Sequence, residues 1–273
     1  MGPKRPVLTT GANSGIGLAT VIELARRGFD SVGSVRSAAK ARQVRDAARQ
    51  AGVEVRTVIL DVADAEQCRA VVDRLKPYGL VNNAGFGAVG AVEDISDEDA
   101  HAAFETMVFA PIRLARLALP HMRRRDGGRI VNISSIYGIT TTPLSGWYQG
   151  AKHALEALSD ALRIEVAKDG VRVVLIEPGG FDTGIWEDTH SEVEKRPHSK
   201  YRTAYGRLQA GVKLSRPMLG NPKTVARVIA RALTSGRPSP RYLVGADAQA
   251  IAFWDRLLPT EVKDRVTRLS LGL

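Results

Sequence analysis

Cysteine is almost missing: Cys68 stands alone among 273 residues. No intrachain disulfide can form, so the fold must rest on its core, and a reducing, cytoplasmic setting is expected. Long apolar runs are also lacking. No uncharged stretch approaches the ~20 residues that span a bilayer, and Met1 to Pro6 is short and basic before a strand-like segment, unlike a secretory leader. No membrane span is expected, and the chain should be soluble. The five histidines, His101, His121, His153, His190 and His198, fall at no metal-binding spacing, so no metal is expected. There is no internal repeat and no low-complexity tract. Positive charge is plentiful, at +10 net, but unclustered: Arg26-Arg27 and Arg123-Arg124-Arg125 are the tight groups, and neither sits in a nucleic-acid motif. A nucleic-acid partner is not expected. A basic surface does suit an anionic small molecule.

What the chain does have is hydrophobic content of 44%, enough for a sizeable core. Short β-rich runs at Val7 to Thr9, Ser31 to Val35, Val55 to Leu60, Leu80 to Asn82, Arg129 to Ser134 and Val171 to Glu177 alternate with helix-length amphipathic segments. Parallel neighbours need crossover connections, so this rhythm predicts an α/β fold: one domain over 1–273, a doubly wound parallel sheet with helices on both faces. Gly28 and Gly52 read as helix stops. Ser96 with Asp99 caps a helix expected to run through Arg125, with Pro120 kinking it or shortening its end. Gly184 to Asn221 is polar and irregular, which predicts a mobile substrate loop or lid, with Trp186 as its pocket-lining aromatic. A last strand at Arg241 to Gly245 and a helical extension over about 247–273 follow.

The first strand runs into Thr9-Thr10-Gly11-Ala12-Asn13-Ser14-Gly15-Ile16-Gly17 and then a helix. Such glycines allow a tight turn whose amides can face a pyrophosphate. Alone, the pattern could equally be a tight turn. Four more segments follow: Asn82-Asn83-Ala84-Gly85; Ser135; Tyr148 with Lys152, four apart on one helix face; and Pro178-Gly179 followed by Thr183. In this order they resemble the short-chain dehydrogenase/reductase family over nearly the whole chain. The resemblance implies a Rossmann fold and hydride transfer between a nicotinamide cofactor and a carbonyl or secondary alcohol. It also implies catalytic roles for Ser135, Tyr148 and Lys152. Tyr148 would be the general acid or base, its phenol held below the usual ~10 by the Lys152 ammonium; Ser135 would bind the substrate oxygen. Cofactor contacts are expected from Gly11, Asn13, Ser14, Gly15, Ile16, Gly17, Asp61, Val62, Asn83, Ala84, Gly85, Tyr148, Lys152, Pro178, Gly179 and Thr183.

Two positions refine the expectation. Where an NAD enzyme would place an acid after the second strand, Val35 and Arg36 stand, so a 2′-phosphate is the better partner and NADP(H) is preferred over NAD(H). Phe104-Glu105-Thr106-Met107-Val108-Phe109-Ala110 aligns with the family segment that carries an active-site asparagine, and Met107 takes its place. The family uses that backbone carbonyl in a water relay, which a methionine retains; Met107 could also simply pack in the core. The segment around Tyr148 and the long loop resemble members acting on steroids, retinoids and other lipophilic ketones or alcohols. A ketoacyl-carrier-protein reductase and a non-catalytic dinucleotide-sensing regulator stay open as rival readings. Family members assemble as homodimers or homotetramers, which is expected here through the helices near Asp97 to Arg125 and Tyr148 to Ala167.

Overall fold

The protein is described by a computed structural model covering residues 4–183, 193 and 196–273. Seven parallel strands form one sheet: β1 (Pro6–Thr9), β2 (Asp30–Val35), β3 (Arg56–Ile59), β4 (Gly79–Asn82), β5 (Gly128–Ile133), β6 (Val171–Pro178) and β7 (Arg241–Val244), in the order β3-β2-β1-β4-β5-β6-β7. Adjacent residues of the central strands enter opposite layers, as a two-residue repeat dictates. Leu8, Leu80, Ile130 and Val173 join one core with Val72, Leu114 and Ala118, whereas Val7, Val81, Val131 and Val174 join the other with Leu24, Val225 and Ile229. Burial on both faces explains why these strands read as unbroken apolar runs.

The helices are α1 (Gly15–Arg26), α2 (Ala38–Gln50), α3 (Ala65–Leu75), α4 (Asp97–Phe104), α5 (Ala110–Arg123), α6 (Gly146–Glu165), α7 (Arg202–Ser215), α8 (Pro222–Thr234), α9 (Ala246–Leu257) and α10 (Thr260–Leu271). Gly28 and Gly52 take φ of 82° and 72° just after α1 and α2, as helix stops do. Strand order turns back at β1, between β2 and β4, opening the crevice where such sheets place ligands, at the strands' carboxyl ends.

Two expectations need correction. The helix expected from Ser96 to Arg125 is three pieces, because a π turn at Glu105–Phe109 separates α4 from α5. The cap itself holds, with the Asp99 N–H donating to the Ser96 hydroxyl at 3.1 Å. Pro111 has no N–H to offer the Met107 carbonyl four residues back, so regular helix fails there. Pro120 lies inside α5, which continues to Arg123. Second, the segment expected to be irregular contains α7. That helix buries only Ala204 and Tyr205, too little for a periodic signal. Tertiary docking holds it: the Tyr205 hydroxyl accepts from Ala91 N–H at 2.7 Å and donates to Asp94 at 2.7 Å. Residues 184–192 and 194–195, with Trp186, lie outside the described residues.

Candidate active site

The turn after β1 is built so that only glycine fits at key points. Gly11 and Gly15 take φ of 63° and 50°, and a Cβ at Gly17 would lie 2.2 Å from the Gly11 carbonyl oxygen. Side chains then lock the turn to the end of β4. The Thr10 hydroxyl accepts from the N–H groups of Asn83 and Ala84 at 2.9 and 3.0 Å, and the Asn83 amide donates to the carbonyls of Thr10 and Gly11 at 2.9 and 3.1 Å. Asn83 thus spends its side chain on the turn itself. A Cβ on Gly11 would come within 2.9 Å of the Ala84 Cα, so the two loops touch.

Ser14 precedes α1 without capping it through its side chain, and no acid stands in the first turn. That helix end is suited to an anion by its amides and dipole. Asn13 donates to the Ser14 hydroxyl at 3.4 Å, and half-buried Ile16 packs on the core layer beneath. Thr183 comes to the same turn: a Cβ on Gly15 would be 3.1 Å from its methyl. Pro178 ends β6, the Gly179 N–H donates to Val244 at 2.9 Å, and Asp247 occupies the space a Gly179 Cβ would need. Past β2, Arg36 is exposed and has no ion partner among the described residues. Its neighbour Ser37 caps α2, accepting from Lys40 N–H at 3.3 Å. Beyond β3, Asp61 accepts from Ala63 N–H at 3.0 Å, while Val62 is buried with its carbonyl taking the Arg113 guanidinium at 3.1 Å. Gly85 backs onto Met107, whose Cγ and Sδ lie 3.5 Å from where its Cβ would be.

Ser135 follows β5, and its hydroxyl accepts from Tyr137 N–H at 3.2 Å. Tyr148 and Lys152 sit on α6 beside it. Lys152 is 6% exposed, donates to the Ile133 carbonyl at 2.8 Å, and places its ammonium 5.6 Å from the centre of the Tyr148 ring. The Tyr137 ring meets that of Tyr148 edge-on, 6.5 Å apart. The expected lowering of the phenol's pKa is not produced by the protein groups. Burial pushes Tyr148 up to about 12, against the Ser135 hydroxyl, which lowers it. Burial likewise brings Lys152 down to about 8. The ammonium is bound to a backbone carbonyl and lies against the ring, so protein charge alone does not offset the desolvation of the phenolate.

Met107 is 1% exposed and packs with Phe86, Phe104, Ala151 and Tyr148. Its carbonyl has no Pro111 N–H to accept from, whatever side chain stands at 107. Met107→Asn is therefore expected to keep kcat within about threefold while losing about 1 to 3 kcal/mol of stability through a buried amide. Steady-state kinetics with a denaturant melt checks this; a hundredfold fall in kcat would mean that the methionine side chain matters.

Sequence reading missed a buried polar chain behind the site: Asn82 donates to Asn132 at 2.8 Å, and Asn132 to Ser159 at 2.8 Å. It also missed a cluster of Glu156, Asp160, Glu177 and Arg241. The available signal was Glu156 and Asp160 at four-residue steps after Lys152; Glu177 and Arg241 come from the strands β6 and β7. Among the described residues no group of side chains could hold a metal ion and no helix is long and apolar enough to cross a membrane.

The chain as a whole is similar to known proteins. Uncharacterized oxidoreductase YusZ of Bacillus subtilis is 32% identical, covering 98% of this chain and 99% of its own. Retinol dehydrogenase 7 of Rattus norvegicus is 32% identical over 95% of this chain and 86% of its own. The structure of actinorhodin polyketide ketoreductase with NADPH aligns with a TM-score of 0.74 at 28% identity, covering 87% of this chain and 94% of that one. The short chain dehydrogenase family model matches residues 5–194. The chain therefore belongs to the short-chain dehydrogenase/reductase family and is an NAD(P)-dependent oxidoreductase of that type.

Proposed function

We propose that this enzyme moves a hydride between NADP(H) and a lipophilic ketone or secondary alcohol, with Tyr148 as the proton donor or acceptor. The reading rests on one observation above all: Ser135, Tyr148 and Lys152 meet past the carboxyl end of β5, on the same sheet edge that the glycine turn follows after β1. A nicotinamide held by this site would supply or take the hydride and, when oxidised, would add positive charge that favours the phenolate. Ser135 hydrogen-bonds the substrate oxygen, and Tyr148 gives that oxygen its proton on reduction or takes it on oxidation. Lys152 holds the cofactor ribose and favours the phenolate. The glycine turn, the N-terminal end of α1, Asp61, Val62, Ala84, Gly85, Gly179 and Thr183 seat the rest of the dinucleotide. The apolar packing of Phe86, Ala88, Phe104 and Met107 around Tyr148 supports a lipophilic substrate, as does the name of the retinol dehydrogenase relative. Exposed Phe109, Leu158 and Ile164 on the outer helices support assembly as a homodimer or homotetramer.

A panel of ketones and alcohols, followed by NADPH absorbance, tests this directly. Turnover of a bulky apolar ketone is expected. Cofactor binding without turnover of any compound would favour a dinucleotide-sensing regulator, and preference for β-ketoacyl thioesters a ketoacyl reductase.

Arg36 carries the cofactor preference, since its guanidinium is exposed at the end of β2 with no acid in the place NAD would need. Arg36→Ala is expected to weaken NADP(H) binding on the order of ten- to a hundredfold and leave NAD(H) binding unchanged. Calorimetric titration reads both; equal affinities in the unmutated protein would end the proposal.

A further inference from the structure

One turn beyond Lys152 on the same face of α6, three carboxyls crowd a single guanidinium. Arg241, from β7, lies 3.1 Å from Glu156, 2.6 Å from Asp160 and 3.1 Å from Glu177. Arg163, also on α6, pairs with Asp160 at 2.9 Å from its outer side. Three negative charges thus face two positive ones. Glu156 and Glu177 are the deepest, 6% and 3% exposed, and their carboxyls meet. Glu156 Oε1 is buried without a well-formed hydrogen bond, and Glu177 Oε1 is buried with the Arg241 guanidinium 3.1 Å away. Keeping both carboxylates ionised in such a place is costly, so one proton between them, which removes the surplus charge, is held to a higher pH than an ordinary carboxyl would hold it. The Ser134 hydroxyl, just past β5, also faces Glu156.

We propose that Glu156 and Glu177 act as one carboxyl pair holding a single shared proton under Arg241, and that the negative charge left at Glu156 keeps Lys152 protonated. Both are positioning residues, and the second half of the proposal rests on the roles given above to Tyr148 and Lys152. Burial raises both carboxyls, Glu177 beside Glu156 up to about 7, and Arg241 donates to Glu156 Oε2 through two nitrogens at 3.2 and 3.1 Å, which favours the charge on Glu156. Burial lowers Lys152, and the Glu156 charge opposes that fall. The native state binds a proton at Glu177 that the unfolded chain releases in the ordinary carboxylate range. Stability from this site is accordingly present below that range and lost as pH rises toward about 7.

Infrared spectroscopy of the intact protein reads the pair without turnover. A protonated-carboxyl band should be present at pH 6, fade as pH passes about 7, and vanish in Glu177→Gln. Its absence at pH 6, or its survival in that variant, would overturn the shared proton. NMR of Cε-labelled lysine, assigned with Lys152→Arg, reads the ammonium. In Glu156→Gln the Lys152 titration should move about one pH unit toward acid, with Glu156→Asp restoring it and Glu177→Gln leaving it in place. Coincident titrations in the unmutated protein and folded Glu156→Gln would overturn the link; should that variant melt early, Glu156→Asp and Glu177→Gln decide the pair. The alkaline limb of kcat/KM should follow the NMR midpoint. A Lys152 shift without any turnover in the unmutated protein would leave this inference standing and sink the proposed function instead.

Discussion

Tyr148→Phe should lower kcat by about 100- to 10,000-fold, the span that a positioned acid or base contributes, while NADP(H) affinity stays within about twofold of normal. The change deletes one hydroxyl and keeps the ring, so the edge-on contact with Tyr137 and the packing against Phe104 and Met107 persist. The variant also removes a phenol that burial holds well above its usual range, so the fold loses nothing by it. Lys152→Ala is the informative contrast. Its ammonium donates to the Ile133 carbonyl and lies over the Tyr148 ring, so removing it should damage both turnover and cofactor binding. Kinetics with one accepted substrate, cofactor titration and a melting curve separate these outcomes. Near-normal turnover in Tyr148→Phe would mean that another group handles the proton.

Gly17→Ala should abolish cofactor binding and cost about 3 kcal/mol of stability, the upper end of what overpacking does. The added carbon would sit 2.2 Å from the Gly11 carbonyl oxygen and 2.6 Å from the Asn83 amide nitrogen. Neither can yield freely. Gly11 belongs to the backbone turn, and the Asn83 amide is tied to two carbonyls there. The turn must open, which moves the amides of Gly15 and Ile16 that would face the pyrophosphate. NADP(H) affinity should fall by at least about a hundredfold, read by fluorescence titration alongside a denaturant melt. Gly206→Ala is the control, since nothing lies within 4 Å of a Cβ placed there. Binding preserved in Gly17→Ala would show that the glycine is needed for neither the turn nor the cofactor.

Much of this was legible in the chain because the underlying signals are local. The glycine turn lies within nine consecutive residues, and Tyr148 and Lys152 share one helix face by spacing alone. Strand positions were readable from apolar runs, with ends displaced by a residue or so: β3 is Arg56–Ile59 rather than Val55 to Leu60, and β6 extends to Pro178. Helix α7 was not legible, since two buried residues in fourteen leave no periodic pattern. Nor was the π turn legible, although Pro111 stands in the sequence, because loss of one N–H permits a kink, a break or a π turn alike.

The sequence by itself determined the alternation of strands and helices, the family, and the identity of the groups that can do chemistry, because each depends on residue type and near spacing. Only the tertiary structure decided how those groups are charged and held. Thr10 and Asn83 lock two loops that lie 73 residues apart in the chain. Arg241 reaches Glu156 across 85 residues. Burial, which no spacing reports, lifts the Tyr148 phenol instead of lowering it, since the cost of charging a group depends on what surrounds it in space.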